Sequence, residues 1–444
     1  MTDVVVLGAS LAGLWTAAAA AGAGARVLLL DRDPSPAGPS VRAGVPQGGQ
    51  PHVLLHRGSR AGEELLPGLR QALRAVGGIS VDTGRLPWLG EHGWLPAQSS
   101  YEVLSLTRPL FEHVVRERVL SLPGVGIRWG VRALGLTPCD AGWRVQVAEG
   151  SDITASVVID ATGRTSRLRG WLAEIGVSTP EPLTVDARLG YATQLLEGGP
   201  DPRDLPGVVV QATPQSPVGG LALPVEGRRW LVTALGFGAQ RPPRDFDGLA
   251  AFLAALPDRA LSTILHSGQP VGEVALHRQT GNRRHLYSRV PDWPDGLLVV
   301  GDALCCFDPV YGQGITVSAC QALRVRTALA GGLRAGSGRR LLRDLDRIVG
   351  FPWAVAIGQD LQMPSSSGRQ SRAQAVVSAW ASQVARRAVH GDLRAQQVLM
   401  RTYHLESSAT ALLHPALLAS VALGQLSRTQ APGPRPALLD DLAA

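Results

Sequence analysis

Residues 4–31 hold an apolar run, Val4-Val5-Val6-Leu7, then Gly8-Ala9-Ser10-Leu11-Ala12-Gly13, an alanine-rich stretch, and a second apolar run closing on Asp31. No other feature constrains the fold as much. A buried strand, a tight glycine turn, a helix and a parallel strand ending in an acid open a doubly wound α/β sheet. Gly8 permits the sharp turn off the strand, and Gly13 lets the helix pack close to the sheet. Position 10 faces whatever binds beyond the turn. The helix N-terminus presents free N–H groups and partial positive charge, which suit phosphate. Asp31, 23 residues after Gly8, can accept hydrogen bonds from a ribose diol. The spacing predicts a bound adenine dinucleotide. Ser10 stands where the full three-glycine pattern has its middle glycine, but its side chain is small. No second unit of this kind follows, which points to one tightly held dinucleotide, FAD.

The 444 residues suffice for two or three structural units, and a hydrophobic content of 45% marks a globular chain. All 43 basic residues are arginine. The lack of lysine excludes Schiff-base, pyridoxal-phosphate and P-loop chemistry. The net charge of +7 is spread along the chain rather than clustered, so nucleic acid is not an expected partner. Cys139, Cys305, Cys306 and Cys320 have neither zinc nor disulfide spacing, and reduced thiols in the cytoplasm fit them better. No metal is expected. The N-terminal apolar residues follow the βαβ pattern rather than that of a signal peptide. Residues 409–426 come nearest to a membrane segment but contain His414 and Pro415. They read as a packed helix pair, with peripheral membrane contact as the lesser reading.

Farther along, residues 33–51 form a long Pro/Gly-rich loop of the kind that tends to be functional. A helix is predicted over 59–76, and another from Thr107 as cap, with Pro109 in its first turn, to about 121. Residues 183–235 alternate apolar and polar in short runs, as an antiparallel sheet with one wet face does. After a helix at 314–332, the remainder reads as helices broken at Pro352, Pro364 and Pro415, ending in a loose tail. The expected architecture is α/β. A Rossmann-like FAD-binding domain comprises 1–60, 101–178 and 286–345. A substrate-binding antiparallel β-sheet domain is inserted at 61–100 and 179–285. A C-terminal helical region spans 346–430, and the tail 431–444.

Three distant segments can converge on one ligand: the Gly8–Gly13 turn; Val157-Val158-Ile159-Asp160-Ala161-Thr162-Gly163-Arg164; and the strand at 297–300, with Gly301-Asp302 and then Asp308-Pro309-Val310-Tyr311-Gly312-Gln313-Gly314. Asp302, just past a buried strand, can bind a ribityl hydroxyl. The helix near Gly314 would aim its positive end at the flavin N1–C2 edge and stabilise the reduced ring. Gly312 and Gly314 leave room for the ring.

On these residues the chain resembles the FAD-dependent monooxygenases of the p-hydroxybenzoate hydroxylase type, particularly the bacterial natural-product branch that includes the polyether epoxidases. Arg42-Ala43-Gly44-Val45-Pro46-Gln47, Asn282-Arg283-Arg284 and Trp293-Pro294-Asp295-Gly296 carry the likeness too, which extends from residue 3 to about 424. The resemblance implies that Arg42 and Arg108 contact the FAD, Asp302 its pyrophosphate–ribityl region and Pro309 to Gly314 its isoalloxazine, with Asp160 and Gly163 on the phosphate side. Leu11, Ala12, Arg32, Val131, Gly301 and Gln313 complete the expected cofactor shell. The sequence departs from the branch at Gln50, where histidine is frequent, and at Asp308, where asparagine is common.

The individual side chains leave alternatives open. His52 is either a proton donor near the flavin or a loop histidine. Arg108 at a helix start opposes the dipole, a conflict that an anionic ligand would remove. Tyr191, Trp230 and Phe237 fall in the substrate sheet as core or pocket wall. Cys305 and Cys306 read as small buried residues. By the resemblance, the expected activity is epoxidation or hydroxylation of a lipophilic polyketide- or terpenoid-like molecule through a flavin C4a-hydroperoxide. O2 would be co-substrate, NAD(P)H or free reduced flavin the reductant, and a flavin reductase a possible partner. The alternatives are a non-redox cyclase with structural FAD, which folds a polyene for cycloaddition, and a reductase of isoprenoid double bonds.

Overall fold

The computed structural model describes residues 2–332, 336–368, 370–426 and 433–443. Its central sheet places Thr2–Leu7 between Val27–Asp31 and Ile153–Asp160, all parallel, with Val125–Trp129 outside Val27–Asp31. The first half of Ile153–Asp160 pairs antiparallel with Gly142–Val147, and its second half pairs parallel with Leu297–Val299. The parallel strands are apolar runs because both faces are covered. Helix Leu11–Gly22 lies on one face and packs against helix Gln313–Ala330. It is buried nearly all round, which its alanines permit by allowing close approach.

A second seven-stranded sheet runs Gly268–His277, Leu189–Gly198, Arg229–Phe237, Val218–Val225, Val208–Val210, Trp88–Gly90, Gly93–Trp94. Helices Phe246–Ala254 and Ala260–Ser267 cover one of its faces. The two sheets and the helices after residue 336 give the α/β architecture expected of the sequence. Among the described residues no helix is long and apolar enough to cross a membrane, and no cluster could hold a metal ion.

Several local expectations need correction. The helix predicted over 59–76 is two, His56–Leu65 and Leu69–Ala75, separated at Leu66-Pro67-Gly68. Gly68 takes φ +82°, and its N–H donates to Glu63 at 2.6 Å. Pro352 does not break its helix, which runs Ser337–Asp360. Leu345, Val349, Trp353 and Ala356 are buried in one core on both sides of it. Thr107 precedes helix Arg108–Leu120 without capping it; its hydroxyl donates to Glu226 instead, at 2.7 Å. The tail is not loose over 433–443: Gly433 bridges Gly93, and Leu439 is buried in the core of the second sheet.

Candidate cofactor and substrate site

The register aligns the strand ends. Leu7 pairs with Leu30 and Asp160, and Asp160 with Val299, so the turns beyond them share one crevice at the carboxyl edge of the sheet. The turns touch backbone to backbone. A Cβ on Gly8, whose φ is +94°, would lie 2.6 Å from the Ala161 carbonyl oxygen. One on Gly301, at φ +59°, would lie 2.6 Å from the Cβ of Ala12. Gly13 abuts the Gly8 carbonyl at 1.9 Å by the same measure, which fixes the start of the helix against the turn. The three segments singled out in the sequence therefore do meet.

Beside this junction lies a buried ionic network that sequence reading did not find. Glu112 is its centre. It accepts from Arg42 at 2.6 Å, from Arg108 at 2.8 Å and from the Ser10 hydroxyl at 2.9 Å. Arg42 also pairs with Asp33 at 3.0 Å and Asp31 at 3.4 Å, and donates to the Ala9 carbonyl. Each end of the Arg42 guanidinium is thus engaged within the protein. Arg42 thereby holds Glu112, Asp33 and the turn together at the edge of the crevice. Asp31 likewise begins as a clamp, accepting the N–H of Ala9 at 2.6 Å and of Asp33 at 2.9 Å, with lone pairs to spare. Val131 bonds back to the Asp31 carbonyl, and Arg32 is exposed. The signal for Glu112 was its position four residues after Arg108 on a helix, where a salt bridge forms.

Arg108 differs from Arg42. It is buried, it donates to Ser10 and Glu112 through one nitrogen, and its Nε has no partner among the described residues. Burial lowers its pKa, against the attraction of Glu112. Asp302, across the crevice, makes no hydrogen bond through its carboxylate among the described residues, and burial raises its pKa. Helices Leu11–Gly22 and Gln313–Ala330 both start without a side-chain cap. Gly312, at φ +61°, turns the chain into the second, and Gly314 lies beside the Asp302 carboxyl. Gln313 is buried with its Oε1 unpartnered. An unspent buried guanidinium, an acceptor carboxyl and two open helix N-termini suit a large ligand with a phosphate middle and a hydroxylated chain, as FAD has.

Asp160 is engaged by its own turn. Its carboxylate accepts the Thr162 N–H at 2.9 Å, the Thr162 hydroxyl at 2.6 Å and the Ser166 hydroxyl at 2.5 Å. It shapes the turn through Gly163, at φ +74°. His52 is also not a protonated acid. Burial and the nearby Arg108 push its pKa down to about 3. Its Nδ1 lies 2.8 Å from the Gln50 carbonyl, which can only accept, so that nitrogen carries the proton. Gln50 pins the long loop to the second sheet, accepting from Thr193 at 2.5 Å and donating to the Ala275 carbonyl at 2.9 Å. Cys305 and Cys306 are buried, and burial pushes the Cys306 thiol up to about 12, so neither is a ready nucleophile.

The substrate trio divides by face. Tyr191 and Phe237 join Leu189, Leu235 and Met363 in one buried apolar cluster against Val310 of the Pro309–Gly314 segment. Trp230 lies on the opposite face among the covering helices, its Nε1 donating to the Pro200 carbonyl at 3.1 Å. It is core, not pocket wall. Strand parity explains the split: Trp230 and Phe237 are seven residues apart on one strand and so point opposite ways.

With this geometry in view, the comparisons are decisive for family. Residues 3–169 match the family model described as FAD dependent oxidoreductase. Protein Rv3254 of Mycobacterium tuberculosis is 31% identical over 343 residues, 73% of this chain and 72% of the relative. The chain belongs to the FAD-dependent oxidoreductases. This family's cofactor is the one the crevice suits. The fold is shared with p-nitrophenol 4-monooxygenase PnpA from Pseudomonas putida, which superposes with a TM-score of 0.64 at 18% identity, covering 93% of this chain and 98% of its own. The Diels-Alderase PyrE3 of the pyrroindomycin pathway superposes at 0.59 and 18% identity, covering 91% and 80%.

Proposed function

We propose that this FAD-dependent oxidoreductase is a monooxygenase of secondary metabolism that epoxidises or hydroxylates a lipophilic, polyketide- or terpenoid-like molecule. The observation that carries the reading is the junction of Gly8 with Ala161 and of Ala12 with Gly301, beside the unspent Arg108. Arg108, the start of helix Leu11–Gly22, Asp31 and Asp302 would hold the FAD, and the Pro309–Gly314 segment would back its ring. When bound, the flavin supplies electron transfer and O2 activation, with NAD(P)H or free reduced flavin as reductant.

The chain's own work is then positioning and exclusion of water. The start of helix Gln313–Ala330 would favour negative charge on the ring. Tyr191, Leu235, Phe237, Met363 and Val310 form a buried apolar cluster beside which a lipophilic molecule would lie. No nucleophile is needed, which agrees with the inert cysteines. The reduced thiols fit a cytoplasmic enzyme.

A non-redox cyclase is the second reading, favoured by the fold shared with the Diels-Alderase PyrE3. The purified protein, photoreduced without air and then mixed with O2 and candidate polyenes, separates the two. Oxygenated product that needs both reductant and O2 supports the monooxygenase. Cyclised product formed without either supports the cyclase.

A further inference from the structure

Two carboxyl groups outside the cofactor crevice meet where the Pro309–Gly314 segment faces the second sheet. Asp308 caps that segment, accepting the Val310 N–H at 2.9 Å. Asp360 is the last residue of helix Ser337–Asp360 and is wholly buried. Asn282 ties them, donating to Asp360 at 2.6 Å and accepting the Asp308 N–H at 2.7 Å. The Tyr311 hydroxyl donates to Asp360 at 3.5 Å. Tyr191 faces both carboxyls from the sheet, is 5% exposed, and its hydroxyl lies beside Asp308 without a well-formed hydrogen bond to any described residue. That buried, unspent donor lies in the apolar cluster with Phe237, Leu235 and Met363.

We propose that Asp308 and Asp360 share one proton and, with the Tyr191 hydroxyl, form a polar subsite of one negative charge that holds an uncharged hydroxyl or carbonyl oxygen of an otherwise lipophilic substrate. The proposal rests on the substrate reading above. Three physical effects keep the proton on the pair. Both groups are buried, and two carboxylates in contact repel. Asp360 also sits at the negative end of its helix, which disfavours an anion. Burial brings Asp360 up to about 7, and burial together with the neighbouring Asp360 raises Asp308 well above its ordinary value. The other groups facing the pair are Arg164, which favours ionisation of Asp308, Asp186, which opposes that of Asp360, and the neutral Tyr191, Tyr311 and Asn282. A charged ligand carboxylate would place a further negative charge against this pair, so the subsite selects neutral oxygen.

The test is infrared spectroscopy of the FAD-loaded protein at neutral pH, with 4-propylphenol or 4-propylbenzoate as probes. The expected result is a carboxylic-acid carbonyl band that is lost in the Asp308→Asn/Asp360→Asn double variant and shifts with the phenol but not the benzoate. In the single Asp308→Asn variant its titration midpoint falls, which decides the matter should the double variant not fold. Tyr191→Phe keeps the band and weakens the phenol about tenfold, the scale of one hydrogen bond. No such band, a band indifferent to these substitutions, or one that the phenol leaves unmoved overturns the proposal. Flavin absorbance of each sample reports FAD binding separately, so failure of the cofactor reading is told apart from failure of the subsite.

Discussion

The Arg42 guanidinium and the Glu112 carboxylate, 70 residues apart in sequence, meet at 2.6 Å with both side chains almost entirely out of water. This pair joins the long loop to the helix that carries Arg108, and Glu112 is the one anion that pairs with both cations beside the glycine turn. Glu112→Gln leaves two buried guanidiniums facing a neutral amide. The apo-protein should lose about 3 kcal/mol, the scale for breaking a buried pair. Anionic FAD would offset part of that loss. Thermal melts with and without FAD should therefore show a wider gap in the variant than in the native protein.

Arg108 has the opposite balance, since its burial is costly and its Nε is unspent. Arg108→Leu should leave the fold near native and weaken FAD binding about 10- to 100-fold, the worth of one or two charge-assisted hydrogen bonds. Flavin fluorescence during titration of the apo-protein measures it. Unchanged affinity would remove Arg108 from the site.

The two faces of the second sheet predict a separation of effects. Trp230→Phe deletes volume and the bond to Pro200, so it should lower the melting temperature without changing the affinity for a lipophilic ligand. Phe237→Leu should change ligand affinity, because this side chain shares the cluster of Tyr191 and Val310. Ligand-induced flavin absorbance changes report the difference.

The fingerprint, the open helix start and the existence of the second sheet were legible in the sequence because each is a local pattern of spacing or period. Trp230 was misplaced although strand parity was available to separate it from Phe237. Glu112 was missed because its charge serves Arg42, which comes from a distant loop. The Asp308–Asp360 pair joins a loop to a helix end 52 residues later, and no periodicity connects them. Pro352 failed as a helix stop because core packing on either side outweighed the lost hydrogen bond. In each of these last three cases tertiary contact decided what local chemistry could not.

His404 supplies a pH prediction. It is fully buried, bonded to Thr83 at 2.8 Å, and burial lowers its pKa from 6.5 to about 3. Between those values the unfolded chain binds the proton and the folded one does not. Its contribution is present above the unfolded pKa and is lost as pH falls from 6.5 toward 3. One such group changes stability by about 1.4 kcal/mol per pH unit. Denaturant melts across this range should show a shallower acid slope for His404→Gln than for the native protein.

The central claim is that three glycine corners close one FAD crevice, and titration of apo-protein with FAD tests it most directly. The account predicts saturable quenching of flavin fluorescence at one FAD per chain, abolished by Gly301→Val, which would drive a side chain into Ala12. A protein that takes up no FAD, or a Gly301→Val variant that folds and binds it as the native protein does, would contradict the account.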